Sequence, residues 1–118
     1  MTPEDHDRRA FASPKRTPAV QRREKRDNRT AAIVAHEAAR FIANEAGPGS
    51  LITVTRAQVS SRGDRVSVFV SIFPETQAAR ALDFLTRQRE AFSDYLKEHA
   101  RLSPLPRVSF MLEPESAA

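Results

Sequence analysis

The sequence predicts an α+β domain with elements in the order α-β-β-α-β and a three-stranded sheet covered on one face by helices. Two β-rich runs, 51–60 and 65–73, are joined by the short polar turn Ser61-Arg62-Gly63-Asp64, where Gly63 can take positive φ. An amphipathic helical segment precedes this pair. A second long helical segment and a short strand over 107–112 follow it. A length of 118 residues suits one such domain.

In chain order, residues 1–26 come first. They hold Pro3, Pro14 and Pro18, many charges and few large apolar groups. Such a segment cannot bury enough surface to offset its ordering entropy, so a basic disordered arm is expected. Asp27 or Asn28 then caps a helix that runs to about Ala46. Ile33, Val34, Ala38, Phe41 and Ile42 share one of its faces at 3.6 periodicity, with Glu45 at the end of the stripe. Gly47-Pro48-Gly49 stops it, because glycine supplies a left-handed cap and proline cannot continue a helix.

The first strand alternates only roughly. Ile52 and Val54 share one face, and Leu51, Thr53, Thr55, Ala57 and Val59 the other. The second alternates cleanly, with Val66, Val68, Val70 and Ile72 against Ser67, Phe69, Ser71 and Phe73, and Pro74 ends it. From Glu75 to about Ala100 there is neither glycine nor proline. The inner face there reads Ala78, Ala81, Leu82, Leu85, Phe92, Leu96 and His99, interrupted by Gln88 and Arg89. Ser103, Pro104 and Pro106 force a turn before the last strand. The domain proper is expected over 27–114, with a frayed tail at 115–118.

Composition excludes several function classes. The chain has no cysteine, so disulfides, thiolate metal sites and cysteine nucleophiles are impossible. No apolar run approaches the roughly 18–20 residues that cross a bilayer, so no membrane association is expected. The N-terminus lacks an apolar signal core, and Glu4, Asp5 and Asp7 argue against an organellar transit peptide. A cytoplasmic protein is the expectation. His6, His36 and His99 are scattered without the carboxylates of a metal site. There is no phosphate loop, no nucleophile elbow and no carboxylate pair in an apolar setting. No enzyme activity, cofactor, metal or small-molecule substrate is expected.

The net charge is +4, and it is unevenly placed. Residues 1–29 hold Arg8, Arg9, Lys15, Arg16, Arg22, Arg23, Lys25, Arg26 and Arg29 against Glu4, Asp5, Asp7, Glu24 and Asp27. The rest of the chain is balanced, so a polyanion meets the arm first. Arginine outnumbers lysine there, and guanidinium both forks onto phosphate and stacks on bases. These nine residues are the first RNA-binding candidates. Arg101 and Arg107 flank the exit of the last helix and the start of the last strand, and Arg40 lies off the apolar stripe of the first helix. All three join the candidate set. Arg80, Arg87 and Arg89 alternate with Asp83, Glu90 and Asp94, which reads as a solvated, salt-bridged face. Phe69 and Phe73 read as a small packing layer or ordinary surface, and Arg62-Gly63-Asp64 as a turn and nothing more.

The run Leu51-Ile52-Thr53-Val54-Thr55-Arg56-Ala57-Gln58-Val59-Ser60, followed by Val66-Ser67-Val68-Phe69-Val70-Ser71, resembles the strand pair of the ribosome-binding factor A family. The likeness extends to Ala81-Leu82, Arg101-Leu102, Pro106, Phe110 and Glu113, and spans roughly residues 24–115. It implies a single type II KH-like domain in a bacterial small-subunit assembly factor. Such a factor binds the immature small ribosomal subunit through its rRNA, assists late rRNA maturation including the 5′ end, and is not an enzyme. Where the family carries Ala-X-Gly at a helix kink, this chain has Gln88-Arg89-Glu90, all good helix formers, so an unbroken or differently bent helix is expected there. A monomer is expected. Two other readings stand beside it: a protein–protein adaptor using the mixed sheet face with the arm on an acidic partner, and a general RNA chaperone with no particle specificity.

Overall fold

The computed structural model describes residues 17–45 and 49–114. Helix α1 (Pro18–Glu45) is followed by β1 (Leu51–Val59), β2 (Arg65–Phe73), a 3-10 turn (Glu75–Gln77), α2 (Ala78–Arg87), α3 (Arg89–His99) and β3 (Arg107–Leu112). The α-β-β-α-β order holds, with the second helical segment delivered as two helices.

Helix α1 starts at Pro18, well before Asp27 or Asn28. The Val20 N–H donates to Thr17 Oγ1 at 3.1 Å, which caps the first turn. Proline at the first helical position forfeits a donor that has no partner there in any case. Residues 19–26 are then mostly strong helix formers. The disorder expected of 1–26 is thus corrected over 18–26, where local propensity and a Thr-Pro cap outweigh the lack of apolar cover. Residues 1–16 and 115–118 lie outside the described residues.

β2 is the central strand, antiparallel to β1 and parallel to β3. Val66, Val68, Val70 and Ile72 face the helices and are buried, as their alternation predicts. β1 departs from expectation. Its register shifts between Val54 and Arg56, so Ile52 and Val54 pair with Ile72 and Val70, while Ala57 and Val59 pair with Val68 and Val66. Thr55 is the extra residue of a β-bulge, which turns Ala57 and Val59 to the helix side instead of the opposite one. The bulge is why the alternation looked rough. The Thr55 hydroxyl bridges it, donating to the Phe69 carbonyl at 3.1 Å and to Glu113 Oε1 at 2.7 Å.

The core lies between the sheet and the helices. Val34, Leu85, Phe92 and Leu96 are fully buried against the valines of β2. The Phe92 ring centroid lies 5.3 Å from that of Phe41 and 5.8 Å from that of Phe110, tilted in both pairs. His99 is exposed rather than part of the inner face, and its ring stacks on Tyr95 at 3.9 Å.

Gln88 separates α2 from α3 with φ −90° and ψ 6°. Its N–H donates to the Phe84 and Leu85 carbonyls, and its carbonyl accepts the Phe92 N–H at 2.9 Å. The helix is thus interrupted here without a glycine, since a negative φ of this kind needs none. In a continuous helix Gln88 and Arg89 would fall on the line joining Leu85 to Phe92, facing the core. The break leaves Gln88 half-buried and Arg89 in solvent, avoiding an unpaired buried charge.

Candidate nucleic-acid interface

Helix α1 spans 28 residues, about 42 Å at 1.5 Å per residue. Only its C-terminal part covers the sheet, where Val34, Glu37, Ala38, Phe41 and Ile42 are buried. Residues 17–26 are all exposed. The face of Phe41, Ala38 and Val34, followed toward the N-terminus at helical spacing, reaches Thr30, Asp27, Arg26 and Arg23. The inner face thus changes from apolar to cationic where the helix overhangs the core.

Opposite this face stand two loops remote in sequence. The β1–β2 turn is held by the Gly63 N–H to the Ser60 carbonyl at 2.9 Å, with Gly63 at φ 79°. The α3–β3 connection supplies Arg101, Leu102, Ser103, Pro104 and Pro106. Together the three segments enclose an open groove of about 440 Å³, into which Arg23, Arg26, Arg29, Arg62 and Arg101 converge with a single carboxylate, Asp27. Among the described residues none of these five guanidinium groups lies within salt-bridge distance of a carboxylate. Like charges gathered this way repel unless an anion enters.

The sequence candidates divide accordingly. Arg23, Arg26, Arg29 and Arg101 meet at the groove, and Arg22 shares the adjoining α1 surface with Arg23 and Arg26. Lys25 is exposed on α1. Arg107 opens β3 at the same end of the molecule, its N–H donating to the Asp64 carbonyl at 3.0 Å. It pairs in register with Arg65 on the open sheet face, since the following residues, Val66 and Val108, face the helices. Arg40 is not brought to the groove. It lies beside Tyr95, whose hydroxyl is pushed up by burial and by Glu37 and eased down by the Arg40 charge. Arg8, Arg9, Lys15 and Arg16 lie outside the described residues. Sequence reasoning missed Arg62 and Arg65. The signal was present in the turn tripeptide, but only the turn's geometry was read from it.

The mixed-sign helix face behaves as expected, with Arg87 and Asp83 paired at 3.5 Å one turn apart. On the open sheet face, Glu113 is buried and accepts two bonds from one guanidinium, Arg56 Nε at 3.0 Å and Nη2 at 3.1 Å. Hydrogen bonds from Arg56 and Thr55 hold its carboxyl below the usual range. The same Arg56 lies 3.9 Å over the Phe69 ring. Phe69 is therefore covered, whereas Phe73 is 71% exposed. No group of three potential metal ligands occurs among the described residues. No described helix is long and apolar enough to cross a membrane.

No family model matches the chain, and no curated protein does either. Solved structures do. The crystal structure of ribosome-binding factor A from Thermus thermophilus is 27% identical, with a TM-score of 0.64 over 78% of this chain and 98% of that one. An NMR structure of a Thermotoga maritima protein described as a ribosome-binding factor A is 20% identical, with a TM-score of 0.60 over 73% of this chain and 85% of that one, and supports the fold alone. Coordinates of the Thermus thermophilus factor fitted into a cryo-EM map of a 30S complex are 30% identical, with a TM-score of 0.59 over 74% of this chain and 94% of that one. Sequence and fold thus agree with a relative that is covered almost end to end: the chain belongs to the ribosome-binding factor A family.

Proposed function

We propose that this protein binds the immature small ribosomal subunit through its rRNA and assists late rRNA maturation, including that of the 5′ end. The observation that carries the RNA contact is the convergence of Arg23, Arg26, Arg29, Arg62 and Arg101 on one groove. Such a cluster holds phosphates by releasing counterions and positions the protein without reading sequence. The subunit as the particle bound is supported by the relative fitted into a 30S complex. Arg22, Lys25, Arg65 and Arg107 extend the cationic end, and Arg8, Arg9, Lys15 and Arg16 add four more cations in the sequence before it. The protein acts by binding, as a cytoplasmic monomer without a cofactor.

Sedimentation tests this. Tagged protein in extract travels with small-subunit precursors at low salt and leaves them as salt rises, and its depletion enriches precursors with an unprocessed 5′ end. A protein found only in a discrete protein complex supports the adaptor reading, for which exposed Leu51, Phe73 and Met111 supply a surface. Spread over all RNA, it is a general chaperone.

A further inference from the structure

We infer that the arginine groove receives one unpaired RNA nucleotide, base inserted and flanking phosphates on the arginines, and does not hold a duplex. The inference rests on the RNA reading above and specifies the form of RNA taken. Size is the first argument. A space of about 440 Å³ is in the range of roughly 300–1,000 Å³ that encloses one small organic ligand. A double helix does not enter such a space. Double-stranded RNA is met across its outer surface by shape, while unpaired bases are splayed out and taken into pockets.

The lining is the second argument. Phosphate binding alone calls for cations on an open, polar surface. Here the arginines form the walls, and Ile33, Leu102, Pro104 and Pro106 supply apolar surface between them. Leu102 and the core are in contact, so this surface is backed by packed protein. A base has two apolar faces and a polar edge. Its faces suit the proline and leucine side and the flat guanidinium planes, and its edge and phosphates suit the arginine donors. The origin of the walls is the third. Arg23, Arg26 and Arg29 approach from a rigid helix, and Arg62 and Arg101 approach from loops at its other side. The cations therefore flank the space on two sides, as the phosphates before and after one nucleotide do.

The test compares three probes at equal phosphate concentration by fluorescence anisotropy: a mixed-sequence single-stranded 12-mer, its blunt duplex and its abasic ribose-phosphate analogue. Stacking of one base is worth about 5- to 150-fold in affinity. The single strand should therefore bind at least about fivefold more tightly than the other two. In parallel, the methyl resonances of Ile33 and Leu102 should move upfield with the single strand, from the ring current of the inserted base, and stay in place with the abasic probe. R62A should weaken all three probes and lower the salt slope. Equal binding of the single-stranded and abasic probes, tighter duplex binding, or unmoved methyls would each overturn the inference while leaving the RNA reading intact. If none of the probes bound and the protein also failed to sediment with subunit precursors, the RNA reading itself would fall.

Discussion

Replacing Asn28 by proline separates two explanations of how the basic end works, because it leaves every charge in place. In α1 the N–H of residue 28 bonds the carbonyl of residue 24 within the helix. Proline removes that bond and clashes with the carbonyl, at a cost of about 3 kcal/mol inside a helix. The alternative open to the variant is cheap. Asp27 becomes an N-cap and the introduced proline the first helical residue, both favoured there. The stretch 18–27 is then shorter than the roughly 12–15 residues an isolated helix needs, and it frays. Every buried residue of α1, from Val34 to Ile42, lies after the break. The melting temperature should therefore change by less than about 2 °C, while helical circular dichroism falls. Arg23 and Arg26 lose their fixed positions, leaving three of the five groove arginines. With a single-stranded RNA probe, the log–log salt slope should become shallower by about 1.4, and affinity at 0.15 M salt should fall by about 15-fold. Anisotropy titrations at several salt concentrations measure both. An unchanged affinity and slope would refute the argument that the helix positions these arginines. A melting temperature lowered by more than about 5 °C would show that the overhang belongs to the cooperative core.

Phe92→Ala empties a fully buried site between Phe41 and Phe110 and should cost about 3–5 kcal/mol in urea denaturation; a loss below about 1 kcal/mol would mean the site collapses freely. Deleting Thr55 removes the extra residue and leaves Ile52, Val54, Ala57 and Val59 in one unbroken alternation that still faces the helices. The deletion variant should still melt cooperatively, at a temperature lowered by loss of the Thr55 bonds to the Phe69 carbonyl and Glu113, and failure to melt cooperatively would show that the fold needs the bulge itself. Glu113 carries a pH signature. Its folded carboxyl titrates below the ordinary 4.5, so its stabilisation is complete above 4.5 and is lost as pH falls through the lowered folded value. Glu113→Gln should be less stable than the parent at pH 7, with the gap in melting temperature closing on acidification; a gap constant down to pH 3 would deny the Arg56 and Thr55 hydrogen bonds.

Much of this fold was legible from local pattern, and the exceptions share a cause. The valine alternation of β2 needs no context, because a central strand buried on one face imposes a strict period of two. β1 hid its bulge, because one extra residue splits a single period into two shorter ones that look like noise. The start of α1 was misplaced because absence of apolar residues was taken as absence of structure. A Thr-Pro cap and a run of helix formers extend a helix already nucleated by its packed half. At Gln88 the polar interruption of the inner face was visible, yet propensity was given more weight than the burial it would have required. The groove could not be read in one dimension. Arg23, Arg62 and Arg101 meet only because the hairpin returns the chain to the end of the sheet that α1 overhangs.

The electrostatics of that end argue that its charge is held for a partner. A helix N-terminus is positive in its own right, and acids in the first turn offset this. α1 has none in its first turn. It instead extends arginines toward two more from the loops, and Arg107 stands beside Arg65 in the sheet. Each choice costs stability in the isolated protein, since like charges side by side on a helix or a sheet are unfavourable. A bound polyanion reverses the sign of all of them at once. The opposite end of the hairpin shows a different surface, where Leu51 pairs with Phe73 and both are largely exposed. The nine-residue strands put the two ends about 26 Å apart, several times the Debye length of roughly 8 Å at physiological salt. RNA seated on the arginines therefore leaves the Leu51–Phe73 end electrostatically undisturbed, and the two surfaces can be occupied independently.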